Sequence, residues 1–209
     1  MGHADLGRAV AHYREIAPSY DHFTRHIDRI RERAIEALAL REGDVVLDAG
    51  CGTGWCLPRL LDRVGASGQV IAFDPCPEML AISRGRAGTE RVELIESSAE
   101  SVRLPSPPDA LLFSYTHDLL RSQAALENVL GQAKPGARVA AAGTKLFSPW
   151  LFPLNWWVRR RHRGYITEFE SLDAPWSLLA ERLDDFRLLG EPHRQHYIAT
   201  GRVRVVTPV

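Results

Sequence analysis

The sequence has few cysteines, no excess charge of either sign and no long hydrophobic run. Its cysteines, Cys51, Cys56 and Cys76, are odd in number and include no C-x-x-C pair, which indicates reduced thiols and no metal site. Lysine plus arginine and aspartate plus glutamate each number 26, which argues against a nucleic-acid partner bound through phosphate neutralisation. No run approaches the roughly eighteen apolar residues of a membrane span, and no signal-peptide pattern is visible. A cytoplasmic protein is therefore expected.

Length and composition bound the architecture. With 209 residues, 45% of them hydrophobic and 25% charged, the chain is long enough for a three-layer core and ordinary for a globular protein. Residues 1–209 are therefore expected to form a single domain. Monomer and homodimer both remain open.

A glycine-rich segment follows the apolar residues 45–47. It reads Asp-x-Gly-x-Gly-x-Gly from Asp48 to Gly54. The apolar residues predict a buried parallel strand and residues 55–64 predict a helix, whose positive end would face a ligand on the loop. The glycines allow positive φ and leave space against the backbone. A dinucleotide-binding loop would need a glycine where Trp55 stands, which disfavours a nicotinamide dehydrogenase.

A second strand, residues 69–74, ends at Asp74. An acidic residue at the end of a strand beside a glycine loop is placed to accept both hydroxyls of a ribose, through charge-assisted hydrogen bonds. The alternative is that Asp74 caps the helix predicted from Glu78 to about Arg86, since Pro75 and Pro77 precede that helix.

The loop together with Asp74 resembles motif I and the ribose site of the class I S-adenosylmethionine-dependent methyltransferases. Residues 13–21 are similar to the aromatic-x-x-x-Ala-x-x-Tyr-Asp segment that precedes the core in many small-molecule methyltransferases. The resemblance covers about residues 9–144. It implies S-adenosylmethionine as the cofactor. It also implies an α/β fold: a Rossmann-like, doubly wound, seven-stranded sheet, mostly parallel with an antiparallel last strand and helices on both faces.

The resemblance also implies which residues bind the cofactor. Asp48 would help orient the amino-acid portion, and Pro75 and Met79 would lie against the adenine. Ser98 stands where the family commonly has an aspartate for the adenine amino group, so this contact is weakened or falls to a hydroxyl, while the Ala99 N–H reaches a ring nitrogen. The implied set is Tyr20, Asp48, Gly50, Cys51, Gly52, Gly54, Asp74, Pro75, Met79, Ser98, Ala99 and Ser114. For Tyr20, packing on the N-terminal helices is an equal alternative.

Two residues at the end of the predicted fourth strand, residues 109–116, are candidates for removing a proton from the acceptor. That end falls on the same sheet edge as the glycine loop. In the family, residues here face the sulfonium and the acceptor. His117 is a candidate general base because imidazole titrates near neutral pH, and Tyr115 is the second candidate. A structural or solvent-facing role is the alternative for His117.

The remaining elements follow from periodicity and turn residues. An N-terminal helical cap, residues 1–40, contains helices at 5–18 and 22–40, with charges expected on the solvent face of the second. The other predictions are a third strand at 92–96, helices at 118–132 and 176–183, and strands at 137–144, 186–189 and 197–206. The family resemblance implies that the last two strands form an antiparallel hairpin. His193 and His196 lack carboxylate company, so no metal pair is expected there.

Residues 145–174 form an inserted segment. It is dense in aromatics and prolines and then in arginines, including Trp150, Trp156, Trp157 and residues 159–161. This composition suits a cover over an aromatic or apolar acceptor with an anionic or polar group. Transient contact of residues 150–163 with an anionic membrane surface, or plain packing, are the alternatives.

The expected function is methyl transfer from S-adenosylmethionine to a small-molecule acceptor, giving S-adenosylhomocysteine. Two alternatives remain: a non-methylating enzyme that uses S-adenosylmethionine on the same scaffold, and a non-catalytic cofactor-binding partner subunit. The scaffold does not name the acceptor or its reacting atom.

Overall fold

The computed structural model describes residues 6–88, 90–146, 173–189 and 195–204. The helices are α1 (Leu6–Ile16), α2 (Tyr20–Thr24), α3 (Asp28–Ala37), α4 (Leu57–Val64), α5 (Pro77–Ala87), α6 (His117–Arg121), α7 (Gln123–Gly131) and α8 (Ser177–Ala180). The strands are β1 (Val45–Ala49), β2 (Gln69–Asp74), β3 (Val92–Glu96), β4 (Ala110–Ser114), β5 (Arg138–Thr144), β6 (Leu183–Leu189) and β7 (His196–Val203).

The seven strands form a sheet in the order β3-β2-β1-β4-β5-β7-β6. The pairs from β3 to β5 are parallel, and β7 runs antiparallel to both of its neighbours. The predicted Rossmann-like class, with an antiparallel last strand, is confirmed. Because β1 lies between β2 and β4, the chain switches direction of winding there. The carboxyl end of β1 is therefore the place where such sheets bind ligands.

Alternating side chains of the central strands build a core on each face of the sheet. On β1, Val46 belongs to the layer that packs with α3 and α4, whereas Leu47 and Ala49 belong to the layer on the other face. Asp48 alternates with Leu47 and so falls on the α3 side. This parity brings a carboxylate of β1 and the side chains of α3 to one face of the sheet.

The helix predicted over residues 22–40 is wrong as a single helix. It divides into α2 and α3, with a 3₁₀ turn at Arg25–Ile27 between them. The Thr24 hydroxyl donates to the Tyr20 carbonyl at 3.0 Å, a side-chain bond that competes with the helical ladder. The charges are not all on the solvent face either, because Arg31 is 5% exposed.

The helix predicted over residues 118–132 is also divided. Ser122 adopts an extended conformation and its hydroxyl accepts a hydrogen bond from the Ala125 N–H at 3.2 Å, so it ends α6 and caps α7. The other predicted boundaries shift by a few residues. The shifts are largest at α8 and β7, which end earlier than predicted, and at β6, which begins earlier.

Several predictions fall outside the described residues. Of the inserted segment 145–174, the structure describes residues 145–146 and 173–174, so the acceptor cover and the membrane contact of residues 150–163 lie outside it. His193 and residues 205–206 of the last predicted strand lie outside it as well. Within the described ranges, no helix has both the length and the apolar character needed to cross a membrane.

Two glycines provide a test of the packing. A Cβ on Gly143 in β5 would lie 2.8 Å from His117 Cε1 and 2.9 Å from Tyr197 Cε1, whereas one on Gly85 in α5 would find open space. Gly143→Ala should lower the free energy of unfolding by about 1–3 kcal/mol through overpacking. Gly85→Ala should raise it by about 0.5–1 kcal/mol, since alanine restricts the unfolded chain and favours the helix. Urea unfolding measures both. An unchanged midpoint for Gly143→Ala would contradict the packing of the two rings.

Candidate functional site

The glycine loop has the backbone conformation expected from its sequence. Gly50, Gly52 and Gly54 have φ of 72°, 55° and 75°. The Cys51 N–H donates to the Phe73 carbonyl at 2.9 Å, which joins the loop to the end of β2. A Cβ on Gly50 or Gly54 would clash with neighbouring side chains, but one on Gly52 would meet nothing within 4 Å. The backbone is therefore open to a ligand at Gly52.

Asp74 connects the loop to the segment after β2. Its carboxylate accepts hydrogen bonds from the Gly52 N–H and the Cys76 N–H, both at 2.9 Å. Burial raises the pKa of Asp74, and these two backbone bonds oppose the rise without cancelling it. An ionised carboxylate has about four lone-pair sites, so two backbone bonds leave capacity for a further donor.

Asp48 is a buried carboxylate with unused hydrogen-bonding capacity. It is 1% exposed, and within the described part of the chain neither of its carboxylate oxygens has a hydrogen-bond partner. Burial raises its pKa to about 7, against which the charge of Arg31 acts. A buried polar group without a partner is costly, which indicates that a ligand donor completes this site.

Arg31 is a buried cation that the sequence interpretation missed. Its Nη1 donates to Asp28 at 3.2 Å and to the Thr24 hydroxyl at 3.4 Å. Its guanidinium carbon lies 5.3, 5.8 and 6.0 Å from the ring centroids of three aromatic residues, Trp55, Tyr115 and Tyr20. The available signal was its spacing, because positions 27, 31, 34 and 38 follow one helical face whose other members are apolar.

These residues line a cavity of about 830 Å³, a size typical of small-molecule and cofactor sites. Of the predicted site residues, those on its wall are Tyr20, Asp48, Gly50, Cys51, Gly52, Asp74, Pro75, Met79, Ala99, Ser114, Tyr115 and His117. Gly54 and Ser98 are not among its lining residues. Gly54 faces Ser83 and Leu57, whose atoms would lie within 3 Å of a Cβ there, and Ser98 lines a separate groove with Arg14 and Pro75.

The two candidate bases have different surroundings. His117 is 8% exposed, and its Nε2 accepts a hydrogen bond from the Thr144 N–H at 3.3 Å, so this lone pair is engaged by β5. The Tyr115 hydroxyl is 3.1 Å from His196 Nδ1, and burial raises the pKa of Tyr115. Tyr115 has a φ of 60°, an uncommon conformation for a bulky residue that directs its ring toward α3 and β7.

The raised pKa of Asp48 predicts a pH-dependent stability. From about pH 4 to about pH 7 the folded chain retains a proton that the unfolded chain has released, so the free energy of unfolding falls as pH rises through this window. Asp48→Asn does not titrate and should gain stability relative to wild type between about pH 5 and pH 8. Urea unfolding across that range measures the difference, with the exposed Asp62 mutated to Asn as the control. Parallel curves for wild type and Asp48→Asn would contradict a buried titrating carboxylate.

Comparison with known proteins agrees with this geometry. A family model described as a methyltransferase domain matches residues 46–136. The ubiquinone/menaquinone biosynthesis C-methyltransferase UbiE of Salmonella paratyphi B is 27% identical over 199 residues, which cover 90% of this chain and 76% of that protein. The aligned region spans most of both chains.

Two solved structures share the fold. The DhpI complex with S-adenosylhomocysteine superposes with a TM-score of 0.66 at 21% identity, covering 98% of this chain and 99% of that one. The N-methyltransferase NodS of Bradyrhizobium japonicum WM9 gives a TM-score of 0.62 at 14% identity, covering 86% and 97%. Together with the glycine loop and the sheet order, the methyltransferase-domain match and the UbiE relative support a class I S-adenosylmethionine-dependent methyltransferase with S-adenosylmethionine as its cofactor.

Proposed function

We propose that this methyltransferase acts on a small-molecule acceptor that is aromatic or apolar and carries an anionic or polar group. The observation that carries the proposal is the Arg31 guanidinium among the rings of Tyr20, Trp55 and Tyr115, on the same cavity as the glycine loop. Aromatic rings offer flat apolar surface. Among the described residues the Arg31 guanidinium donates through Nη1 alone, and a buried guanidinium of this kind favours an anion.

The residues on the cavity wall suit the cofactor. In this proposal Gly50, Cys51 and Gly52 lie under its amino-acid portion, Asp48 receives the ammonium group and Asp74 receives the ribose hydroxyls. Pro75, Met79 and Ala99 contact the adenine, and Ser114 and Tyr20 complete the wall. When bound, S-adenosylmethionine supplies a methyl group already activated by a sulfonium. The main task of the chain is then to hold donor and acceptor in line and to exclude water.

Proton removal is needed only for some acceptors. A phenol, a protonated amine or an enolisable carbon must lose a proton, and Tyr115 or His117 is proposed for this step. Burial raises the pKa of Tyr115 and keeps its hydroxyl protonated, so Tyr115 can act as a base only if His196 Nδ1, 3.1 Å away, accepts that proton. The Nε2 lone pair of His117 is already engaged by the Thr144 N–H.

The relatives agree with a small-molecule acceptor but differ in the atom that is methylated. The UbiE relative is named a C-methyltransferase of quinone biosynthesis, and NodS is named an N-methyltransferase. We therefore propose a ring-bearing acceptor and leave the atom to the assay. We further propose one cytoplasmic domain over residues 1–209, acting as a monomer or homodimer.

The proposed ribose contact predicts the effect of changing Asp74. Asp74→Ala should weaken S-adenosylhomocysteine at least tenfold, since it removes a charge-assisted acceptor and frees the loop at Gly52. Calorimetric titration measures the affinity. The control is Glu96→Gln, which changes an exposed acid opposite Asp74 in the β2–β3 register. Equal affinity of wild type and Asp74→Ala would remove the ribose assignment. If wild type binds no S-adenosylhomocysteine, the proposal that this cavity binds the cofactor is wrong.

The proposed anion contact predicts the effect of Arg31→Met. With catechol and protocatechuate, which differ by one carboxylate, wild type should prefer protocatechuate, and Arg31→Met should lose about tenfold of that preference. Formation of S-adenosylhomocysteine is the readout, and Arg33→Met, an exposed change on the same helix, is the control.

Arg31 can contact either the carboxylate of the cofactor or the acceptor. The affinity for S-adenosylhomocysteine, the product of the cofactor, distinguishes these two roles. Methylthioadenosine lacks the amino-acid portion of S-adenosylhomocysteine. If Arg31→Met weakens S-adenosylhomocysteine but not methylthioadenosine, Arg31 serves the cofactor carboxylate and its contact with the acceptor is wrong. If neither phenol is methylated by wild type, this ring class is wrong as the acceptor.

A further inference from the structure

A buried threonine of the glycine loop is bonded to the N-terminal helices. The Thr53 hydroxyl donates to Asp21 Oδ1 at 2.7 Å, and Arg86 of α5 donates through Nη2 to Asp21 Oδ2. Arg86 Nη1 also donates to the Thr53 carbonyl and hydroxyl, each at 3.2 Å. We call these three residues the Asp21 cluster. It links α2, the glycine loop and α5, which lie far apart in the sequence.

The cluster is charged and partly shielded from water. Thr53 is 2% exposed, and the side chains of Asp21 and Arg86 are about one third exposed, at 31% and 32%. Burial raises the pKa of Asp21, but hydrogen bonds from Arg86 and Thr53 outweigh it and bring the pKa below its usual value. Asp21 is therefore ionised at neutral pH, and its bonds are of the stronger, charge-assisted kind.

The cluster joins two walls of the cavity. Thr53 lies between Gly54 and Gly52, and Gly52 is the point at which the loop is open and bonded to Asp74. On the other side Asp21 adjoins Tyr20, whose ring lies 6.1 Å from that of Tyr13 and 6.0 Å from the Arg31 guanidinium carbon. Tyr13 and Tyr20 form an aromatic wall of the cavity. A displacement of α2 therefore moves this aromatic wall and also moves Asp21, which is bonded to the loop through Thr53.

We propose that Asp21 is a positioning residue that couples cofactor binding on the glycine loop to the placement of α2 and its aromatic wall. A ligand that orders the loop then also orders α2, and by linkage the placement of α2 sets the affinity of the loop. The inference rests on cofactor use alone and is independent of the identity of the acceptor.

A second ion pair provides a matched control. Arg14 of α1 and Glu78 of α5 lie 2.6 Å apart and also join an N-terminal helix to α5, and among the described residues no hydrogen bond or ion pair joins either of them to the glycine loop. If any tie between these helices were sufficient, loss of this pair would have the same effect as loss of the Asp21 cluster. If the loop contact is what matters, only the Asp21 cluster changes cofactor affinity.

The test is calorimetric titration of S-adenosylhomocysteine into wild type, Asp21→Asn, Thr53→Val, the double variant and Arg14→Gln. Asp21→Asn and Thr53→Val should each weaken binding about tenfold, as expected for loss of a charge-assisted bond. The double variant should bind about as weakly as either single variant, because both act through one contact. Arg14→Gln should remain within about twofold of wild type. Losses that add in the double variant, or an equal loss in Arg14→Gln, would overturn the proposal.

Amide hydrogen exchange distinguishes coupling from a purely structural role of Asp21, because only coupling makes the ligand-induced protection of α2 depend on Asp21. In wild type, S-adenosylhomocysteine should slow exchange in both the loop and α2. In Asp21→Asn at saturating ligand it should slow exchange in the loop alone, and Asp21→Glu should restore part of the protection of α2. Retained protection of α2 in Asp21→Asn would refute the coupling. If Asp21→Asn does not fold, Thr53→Val and Arg86→Lys carry the same two measurements.

Discussion

Asp74 accepts hydrogen bonds from Gly52 and Cys76 that join the ends of the neighbouring strands β1 and β2. These ends lie next to the point where the direction of winding of the chain reverses. In the β1–β2 register Ala49 is opposite Phe73, so the residues that follow each strand emerge side by side. The Asp74 carboxylate reaches the Gly52 N–H because the glycines, with positive φ, turn the loop toward the end of β2. The shape of the cavity depends on this connection, since the loop forms its floor and α5 begins directly beyond it.

The cavity contains a buried carboxyl group, Asp48, and a buried guanidinium, Arg31, with no hydrogen bond between them among the described residues. Asp48 has no hydrogen-bond partner among the described residues, and Arg31 bonds Asp28 and Thr24 through a single nitrogen. Keeping such groups out of water costs free energy, and packed apolar side chains would often be more stable in their place. Both groups can be accommodated on the wall of one cavity if a ligand completes their hydrogen bonds. This can be one ligand that carries both charges, or two ligands side by side.

Local patterns in the sequence were sufficient for the strands, the conformation of the loop and the end of β2 at Asp74, because each depends on neighbours along the chain. The breaks at residues 25–27 and at Ser122 were missed, since both depend on a side-chain oxygen that competes with the helix. The contacts of Asp21 with Thr53 and Arg86 span 32 and 65 positions and follow no period. Gly54 shares the motif of Gly52, yet the twist of the loop turns it toward Ser83 and away from the cavity.

The order of the strands also separates the two ends of the proposed ligand. Ala99 follows β3, Asp74 ends β2, the glycine loop follows β1 and Tyr115 follows β4, in the order β3-β2-β1-β4 along one sheet edge. In the proposed arrangement a nucleoside held at Asp74 would lie toward β3, and the reacting end of the cofactor would lie toward β4. Tyr115 lies at that second end, and the Arg31 guanidinium lies next to its ring. The acceptor is therefore proposed to lie where α3 packs against β4, beside the rings of Tyr20, Trp55 and Tyr115 that surround Arg31.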